Sequence, residues 1–282
     1  MNFSDSEIKA GVMAWPASHS LSPHLHRYWL KIFNINGTYD PIEVAPEHFA
    51  NVLRSLPEKG FSGVNITLPH KVAALKVVDT ADHIARRIGA VNTIIIKTDG
   101  SLEGTNTDAF GFLENISNIQ PNWDARSGPA VVLGAGGAAR AICVALLDAG
   151  VPEIRLLNRT RLKADVIGNE LGGAISTIDW EKRSEALSDA AFLVNTTSLG
   201  MKGMAPLDIE LSSLPKSASV CDIVYTPIET GLLAAARARG NIAIDGLGML
   251  LHQARPGFEA WFGKQPDVTD ELRQVVLRAL GQ

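Results

Sequence analysis

A short apolar segment that runs through a glycine-rich turn into a helix of small residues is the feature that most constrains this chain. Ala130–Leu133 is apolar and β-prone, and Gly134-Ala135-Gly136-Gly137-Ala138 follows at once. Such a turn lets the phosphates of a ligand approach the backbone, and the helix N-terminus favours their negative charge. The segment predicts a dinucleotide-binding strand, turn and helix. Glycine turns that join a strand to a helix without any ligand are the alternative.

The end of the next strand distinguishes between the two nicotinamide cofactors. Glu153–Leu157 predicts this strand, and proteins that bind NAD usually place Asp or Glu after it to hold the ribose 2′-hydroxyl. Here the residues are Asn158, Arg159 and Thr160, with Lys163 beyond them. A guanidinium and an ammonium group suit a 2′-phosphate, which a carboxylate would repel. The pattern predicts NADP, and a solvated basic loop is the alternative.

Composition excludes several classes of protein. A chain of 282 residues with 46% hydrophobic residues predicts about two globular domains, and a net charge of −4 provides no basic field for nucleic acid. Cys143 and Cys221 lie in apolar segments without the spacing of metal ligands, which indicates reduced thiols and no metal site. The polar segment Met1–Lys9 is unlike a signal peptide. We expect a cytoplasmic protein that binds neither nucleic acid nor a membrane.

Two serines stand where a strand gives way to a helix. Ala10–Ala14 predicts the strand, and apolar residues at helical spacing follow Pro23. This pattern predicts Ser22 as the N-cap and Pro23 as the first helical residue. Ser20 and Ser22 are two residues apart, so in extended chain both hydroxyls point to one side, where a helix N-terminus favours an anion such as a carboxylate. That Ser22 only caps the helix, with Ser20 in a loop, is equally open.

A lysine occupies an unfavourable place in a helix. Phe61–Leu68 predicts a strand, Pro69 is expected to begin the next helix, and Lys71 then falls in the first turn. A cation there opposes the helix dipole at a cost of about 0.3–1 kcal/mol at an exposed site. Lys71 is therefore a candidate functional residue, and a solvated lysine that tolerates a small penalty is the alternative.

A β-hairpin is predicted to place polar residues together. Asn92–Lys97 and Leu102–Asp108 flank Asp99-Gly100, a pair typical of two-residue hairpin turns. With those two residues at the centre of the turn, Asn92 faces Thr107, next to Asp108. A polar cluster then lies at the open end of an otherwise apolar hairpin. Asp108 is also suited to cap a helix beginning at Ala109.

The second half of the chain predicts a parallel sheet with ligand-facing loops. After a linker at Gln120–Pro129, segments that contain Thr197, Ile223 and Tyr225 lie at or just beyond the ends of predicted strands, where the ligand crevice of parallel sheets lies. The predicted strands are Val131–Gly134, Ile154–Leu157, Ala174–Thr177, Phe192–Asn195, Val220–Val224 and Ile242–Ile244. A helix after Gly246 places Met249 and Gln253 on one face.

Together these segments resemble the shikimate dehydrogenase (shikimate/quinate dehydrogenase) family from about Gly11 to Gln253, with every motif in family order. The resemblance implies an α/β fold in which an N-terminal α/β substrate-binding domain and a Rossmann-like NADP-binding domain form a cleft. It assigns residues 1–113 with 250–282 to the first domain and residues 114–249 to the second. The implied reaction is the NADP-dependent, reversible reduction of 3-dehydroshikimate to shikimate in aromatic amino-acid (chorismate) biosynthesis, carried out by a monomer or a homodimer.

The resemblance also implies a role for each site residue. Lys71 and Asp108 correspond to the catalytic pair, with Lys71 as the proton donor, although such a pair titrates as a unit and which residue is the formal acid stays open. Substrate contacts are implied for Ser20 and Ser22 at the carboxylate, for Thr67, Asn92 and Gln253 at the ring hydroxyls, and for Lys71, Asp108 and Tyr225. Cofactor contacts are implied for Gly134, Ala135, Gly136, Gly137, Ala138, Asn158, Arg159, Thr160, Lys163, Thr197, Met201, Ile223, Gly246 and Met249.

Two other functions fit the same scaffold. An NAD-dependent quinate or quinate/shikimate dehydrogenase would be indicated by an acidic residue among residues 158–160, and none is present. A catalytically silent binding protein would be indicated by loss of Lys71 or Asp108, and both are present. The sequence therefore favours the NADP-dependent enzyme.

Overall fold

The computed structural model of the chain describes residues 7–18 and 20–281, so that most of the polar N-terminal segment lies outside the described residues. The chain divides into two compact units. The first contains the chain up to Thr107 and again from Gln253, and the second is Asp108–His252. The divisions fall between residues 107 and 108 and between residues 252 and 253. The boundaries implied by the resemblance lie at 113/114 and 249/250 and stay a prediction. In the described part of the chain, no helix combines the length and the apolar character needed to cross a membrane.

Helices and strands alternate along most of the chain. Up to Thr107 the elements are β1 (Ile8–Ala14), α1 (Ser22–Ile32), β2 (Gly37–Glu43), α2 (Phe49–Ser55), β3 (Phe61–Ile66), α3 (Lys71–Val77), β4 (Thr80–Ala81), α4 (His83–Ile88), β5 (Thr93–Ile96) and β6 (Leu102–Thr105). They are followed by α5 (Asp108–Ile119), β7 (Ala130–Leu133), α6 (Gly137–Ala149), β8 (Ile154–Leu157), α7 (Arg161–Leu171), β9 (Ile175–Ile178), β10 (Phe192–Asn195), β11 (Ser219–Asp222), α8 (Gly231–Arg239), β12 (Ile242–Ile244), α9 (Gly246–Gln253), α10 (Arg255–Phe262) and α11 (Asp270–Ala279).

The first unit is built on a mixed six-stranded sheet in the order β2-β1-β3-β5-β6-β4. β1 is parallel to β2 and β3, as expected where helices connect consecutive strands, whereas β5 is antiparallel to β3 and β6. A buried cluster that includes Met13, Val64 and Ile94 packs with Phe49 and Leu53 of α2. Burial of these large side chains supplies most of the driving force for this unit.

The C-terminal helices complete the first unit. Trp261 of α10 packs against β3 and donates its indole N–H to the carbonyl of Ile94 at 3.0 Å. A Cβ at Gly63 would lie 2.0 Å from Nε1 of Trp261, so this close approach requires glycine at position 63. Trp29 of α1 similarly donates to the carbonyl of Asp267, at 3.1 Å. The end of the chain is therefore part of the same folded unit as its beginning.

The hairpin β5–β6 forms, but its predicted register is wrong by one residue. Thr93 pairs with Thr105 and Ile96 with Leu102. The turn contains three residues, because the N–H of Lys97 bonds the carbonyl of Ser101 and Gly100 adopts a φ of +82°. A type I turn followed by a left-handed glycine is the usual three-residue hairpin, and it fits Asp-Gly as well as the two-residue turn does.

The second unit is a six-stranded parallel sheet in the order β12-β11-β10-β7-β8-β9, flanked by helices. The six predicted strands are present, three of them with ends shifted by one or two residues. β7, β8, β10 and β11 are almost wholly buried, as parallel strands covered on both faces are expected to be. The chain reverses its direction of growth across the sheet at β7, between β8 and β10. In sheets of this kind, ligands bind at the carboxyl ends of the strands beside such a reversal.

Candidate functional site

Asn92 is the centre of a polar cluster in the first unit. Its Nδ2 donates to Thr107 Oγ1 at 3.0 Å and to Gln253 Oε1 at 3.5 Å. Its Oδ1 accepts the backbone N–H of Thr107 at 2.9 Å and the hydroxyl of Thr93 at 3.0 Å. Asn92 and Thr107 thus come together as predicted, although through their side chains and not through the predicted strand register. Asn92 is 2% exposed, and these contacts hold its amide in one orientation.

Two residues behind this cluster support it and were not predicted. Asn65 of β3 donates through Nδ2 to Thr93 Oγ1 at 3.1 Å and to the carbonyl of Asn92 at 3.3 Å. The hydroxyl of Tyr39 donates to Asn65 Oδ1 at 2.6 Å. The signal in the sequence was an asparagine inside the apolar strand Phe61–Ile66, because a buried amide requires hydrogen-bond partners.

Lys71 is the first residue of α3 and is half-buried, so its predicted place in the first turn is confirmed. Its backbone carbonyl accepts the N–H of Val91 at 2.9 Å, which ties the helix start to the segment before β5. Thr67 lies upstream, where its N–H donates to the carbonyl of Met13 at 3.1 Å and its carbonyl accepts from His70 at 2.9 Å. The prediction that Pro69 begins the helix is wrong. The bond from His70 to Thr67 closes a turn that contains Pro69, and the helix starts only after this turn, at Lys71.

His70 fixes the turn that carries Lys71. Its ring nitrogen Nε2 lies 2.8 Å from the carbonyl oxygen of Val44, and the ring stacks on Phe49 at 4.4 Å between centroids. Burial lowers the pKa of His70, so the ring is neutral at physiological pH. The residue next to the candidate lysine is therefore an uncharged anchor.

The two serines lie at the start of α1, but not as predicted. The helix begins at Ser22, which is 8% exposed, and Leu21 is at the N-cap without a side-chain hydrogen bond. The hydroxyl of Ser20 accepts the N–H of Ser22 at 3.3 Å. The prediction of Ser22 as N-cap is therefore wrong, because it is Ser20 whose oxygen meets an amide of this helix start. Since Ser22 is helical, the relation expected for two serines in extended chain does not apply.

The remaining residues of the implied substrate site belong to different units. Gln253 lies with Asn92 in the first unit, whereas Asp108 and Tyr225 belong to the second. Asp108 is the first residue of α5, one position before the predicted helix start, and is 8% exposed. Burial raises the pKa of Tyr225, which keeps its phenol protonated. The roles of these three residues remain predictions.

The glycine turn of the second unit has the geometry of an anion site. Gly134 adopts a φ of +109°, and a Cβ there would lie 2.5 Å from Thr196 Oγ1, so this position requires glycine. A Cβ at Gly136 or Gly137 would instead meet no atom within 4 Å. α6 begins at Gly137 with neither a side-chain cap nor an acidic residue in its first turn. Its first amide groups are therefore available to a phosphate group that approaches the turn.

Cationic side chains follow β8, the strand beside the glycine turn. Arg159, Thr160 and Lys163 are exposed, and in the described ranges 7–18 and 20–281 neither Arg159 nor Lys163 forms an ion pair. Arg161 differs, because it pairs with Asp179 and Asp165. Asn158 donates to the carbonyl of Thr160 at 2.8 Å and so shapes the loop. Two cations thus remain available for an anionic ligand.

The loops after β10 and β11 approach this turn. A Cβ at Gly134 would lie 3.1 Å from Cγ2 of Thr197, and Ile223 donates its N–H to the carbonyl of Asn195 at 3.1 Å. A Cβ at Gly246 would lie 2.2 Å from the carbonyl oxygen of Ile223, so the start of α9 packs tightly against that loop. Of the residues implied at the cofactor, Thr197, Met201 and Ile223 lie in these loops, and Gly246 and Met249 lie on α9. Among the described residues, no group of three or more His, Cys, Asp or Glu side chains could hold a metal ion.

The chain matches three family models in succession. They describe the shikimate dehydrogenase substrate-binding domain at residues 12–94, shikimate/quinate 5-dehydrogenase at residues 117–228 and the shikimate 5′-dehydrogenase C-terminal domain at residues 246–277. A curated relative named shikimate dehydrogenase (NADP+), from Paramagnetospirillum magneticum, is 58% identical over 268 residues, which cover 95% of this chain and 97% of the relative. The chain belongs to the shikimate dehydrogenase family. The resemblance stated from the sequence motifs is thereby confirmed.

Solved structures of the shikimate dehydrogenase family share the fold. Shikimate 5-dehydrogenase from Thermus thermophilus, in complex with NADP(H) and shikimate, has a TM-score of 0.86 and 36% identity and covers 96% of this chain and 99% of its own. Quinate dehydrogenase from Corynebacterium glutamicum, in complex with NAD, has a TM-score of 0.88 and 32% identity with the same coverage. The predicted α/β fold is confirmed.

Asp222, at the end of β11, is a buried carboxyl group that was not among the predicted site residues. Burial raises its pKa from 3.8 to about 6, while hydrogen bonds from Thr230, Val224 and Asn195 oppose this rise. Its position at the carboxyl end of a parallel strand was the available signal.

This pKa predicts a pH dependence of stability. Because the folded state binds the proton of Asp222 more tightly than the unfolded chain does, the free energy of unfolding falls as the pH rises from about 4 to 6. The difference between the two pKa values corresponds to roughly 3 kcal/mol. We expect the unfolding free energy of the parent protein, measured against that of Asp222→Asn in urea titrations, to fall by this order between pH 4 and 7. If the difference in unfolding free energy between the two proteins stayed constant over this pH range, the raised pKa of Asp222 would be contradicted.

Proposed function

We propose that this protein is an NADP-dependent shikimate dehydrogenase, which catalyses the reversible reduction of the 3-keto group of 3-dehydroshikimate to shikimate. This reaction would place it in aromatic amino-acid (chorismate) biosynthesis. The observation that carries the proposal is the 58% identity over 95% of the chain to a relative of that name. The hydrogen-bonded cluster around Asn92 in one unit and the phosphate-binding geometry of the other support it independently.

The residues of the second unit fit NADP. The open space at Gly136 and Gly137 and the bare first turn of α6 suit a pyrophosphate. Arg159 and Lys163, with the hydroxyl of Thr160, suit a ribose 2′-phosphate, because neither cation has a carboxylate partner among the described residues. In the proposal, Asn158, Thr197, Met201, Ile223, Gly246 and Met249 complete the contacts. When bound, the nicotinamide supplies or accepts the hydride.

The chain's own residues have to provide the proton and the orientation of the substrate. Reduction of a ketone leaves an alkoxide, and a proton donor beside the reacting carbonyl stabilises it. We assign that proton to Nζ of Lys71. Asp108 is proposed to accept a hydrogen bond from a substrate hydroxyl. The remaining polar groups of the ring are bound by Thr67, Asn92, Gln253 and Tyr225. This role explains why hydrogen bonds hold the amide of Asn92 in one orientation.

Ser20 and Ser22 are proposed to bind the substrate carboxylate at the start of α1. We expect the change of both to alanine to raise the KM for shikimate by roughly tenfold, because about 1.4 kcal/mol of hydrogen bonding is lost. The dissociation constant of NADP should not change. Ser55→Ala removes a hydroxyl that bonds the carbonyl of Val52 elsewhere in the same unit and serves as the matched control. A loss of stability without any change in KM would make the two serines purely structural.

One assay tests the proposed function directly. The purified protein is given NADP+ or NAD+ with shikimate or quinate, and reduction of the nicotinamide is followed by absorbance. We expect the highest kcat/KM for the pair NADP+ and shikimate. A preference for quinate with NAD+ would identify a quinate dehydrogenase, and binding of NADP without turnover of either substrate would identify a catalytically silent protein.

A further inference from the structure

Asp222 is the hub of a buried hydrogen-bond network in the second unit. Its Oδ2 accepts the hydroxyl of Thr230 at 2.7 Å, and its Oδ1 accepts Nδ2 of Asn195 at 3.0 Å and the N–H of Val224 at 3.1 Å. Thr230 in turn accepts the N–H of Leu233 in the first turn of α8 at 3.3 Å. Asp222 and Asn195 are 0% exposed and Thr230 is 1% exposed. These contacts are therefore shielded from competition by water.

The carboxylate determines which way the amide of Asn195 points. An ionised carboxylate only accepts hydrogen bonds, so the NH2 group of Asn195 must face Asp222. The same NH2 group donates to the carbonyl of Leu199 at 3.1 Å. The amide oxygen is thereby turned towards Thr197, whose N–H it accepts at 3.0 Å and whose hydroxyl it accepts at 2.7 Å. If the amide of Asn195 were flipped, its NH2 group would face the N–H and the hydroxyl of Thr197, which would then lack their acceptor.

The loop after β10 depends on this orientation. Thr197 Oγ1 also accepts the N–H of Leu199 at 3.0 Å, so that the side chains of Asn195 and Thr197 together bond both the N–H and the carbonyl of Leu199. Thr196 bonds the carbonyl of Leu133 through its N–H at 2.8 Å and through its hydroxyl at 2.6 Å. Because Thr196 and Thr197 abut Gly134, the position of the loop is coupled to that of the glycine turn.

We propose that Asp222 is a positioning residue for cofactor binding: through Asn195 it holds the Thr197–Leu199 loop against the glycine turn, and Thr230 holds Asp222 in place. This inference rests on the proposed NADP-dependent function. Asp222 itself touches neither substrate nor cofactor in this assignment. Its effect reaches the ligand through Thr197 and the turn at Gly134.

The test compares the NADP affinity of variants that alter the network without changing its volume. In Asp222→Asn an NH2 group replaces one acceptor oxygen, so that either Asn195 or Thr230 loses its acceptor. We expect the dissociation constant of NADP, measured by calorimetry at pH 8, to rise about tenfold, since a free loop must be ordered when the ligand binds. The KM for shikimate should stay within about twofold. Thr230→Val should weaken NADP binding as Asp222→Asn does. Thr230→Ser retains the hydroxyl and should therefore keep the NADP affinity of the parent.

A structural readout separates positioning from general destabilisation. Val220→Ala, on the same strand, creates a cavity without removing a hydrogen bond and should lower the thermal midpoint with little change in NADP affinity. Amide hydrogen exchange by NMR, without cofactor, should accelerate at Thr197 and Leu199 in Asp222→Asn, and not in Val220→Ala. Unchanged exchange at both amides would overturn the inference.

An exchange of the two side chains tests the direction of the network. Asn195→Asp alone places two carboxyl groups together, and the double variant Asn195→Asp/Asp222→Asn again opposes a donor to an acceptor. We expect the double variant to bind NADP more tightly than Asn195→Asp does, and strictly additive losses would count against the network. If the parent protein itself binds no NADP, the proposed function fails. Equal affinities of the parent and Asp222→Asn overturn only the role of Asp222.

Discussion

Lys71→Met should lower kcat for shikimate oxidation by about 10²–10⁴-fold, the usual contribution of a positioned general acid or base. Methionine retains most of the length of the lysine side chain but cannot carry the proton. Because Lys71 is the first residue of α3, its removal also relieves an unfavourable interaction between a cation and the positive end of the helix dipole. The variant should therefore be at least as stable as the parent, and its NADP affinity should be unchanged.

The matched control for this prediction lies on the same helix. Lys76 is exposed in the last turn of α3, where a cation interacts favourably with the helix dipole. Lys76→Met should keep kcat and lose a few tenths of a kcal/mol of stability, about the lower limit of a dipole interaction. The thermal midpoint and kcat are measured on the same preparations. A kcat for Lys71→Met within a few-fold of the parent value would remove Lys71 from the mechanism and leave Asp108 or a bound water as the proton source.

Arg159→Ala should weaken NADP binding by roughly 10- to 150-fold, because a charge-assisted contact contributes about 1.5–3 kcal/mol. Arg159 is exposed at the end of β8, and no carboxylate among residues 158–160 would hold the 2′-hydroxyl of NAD. NAD binding should therefore stay nearly unchanged. Calorimetry at one salt concentration gives the dissociation constants of both cofactors for the parent and the variant, and hence the change in selectivity for NADP over NAD.

Arg161→Ala is the matched control for Arg159→Ala. It changes the net charge by the same amount two residues along the chain, but Arg161 is already paired with Asp179 and Asp165. We expect it to leave NADP affinity within about twofold, since exposed ion pairs contribute little. Equal losses of NADP and NAD affinity in Arg159→Ala would show that the residue supports the loop and does not select the cofactor.

Local patterns were sufficient for the parallel sheet of the second unit. Buried parallel strands are continuous apolar runs, and the glycine turn at Gly134 combines a required left-handed conformation with open space at Gly136, both of which are local requirements of the backbone. The position of Lys71 in a first turn was likewise predictable, because helix starts depend on neighbouring residues. Errors of one or two residues arose at Ser22 and Pro69, where turns formed before the helical hydrogen bonds began.

The hairpin shows where local information ended. Asp99-Gly100 predicts a turn, but two- and three-residue turns both accept this pair, and pairing along the whole of β5 and β6 decided the register. Asn92 and Thr107 still met, because the side chain of Asn92 bonds both the hydroxyl and the backbone N–H of Thr107 across the end of the hairpin.

The sequence by itself determined the six strands of the parallel sheet, the phosphate-binding turn, the basic end of β8 and, through its motifs, the family. Only the tertiary structure decided which buried polar groups satisfy one another. Two such pairs are Asn65 with Asn92 and Asp222 with Asn195. The members of each pair are 27 residues apart in the chain, and nothing local specifies their partners. The physical reason is that a buried hydrogen-bonding group needs a partner of opposite kind, and the identity of that partner depends on which strands become neighbours in the sheet.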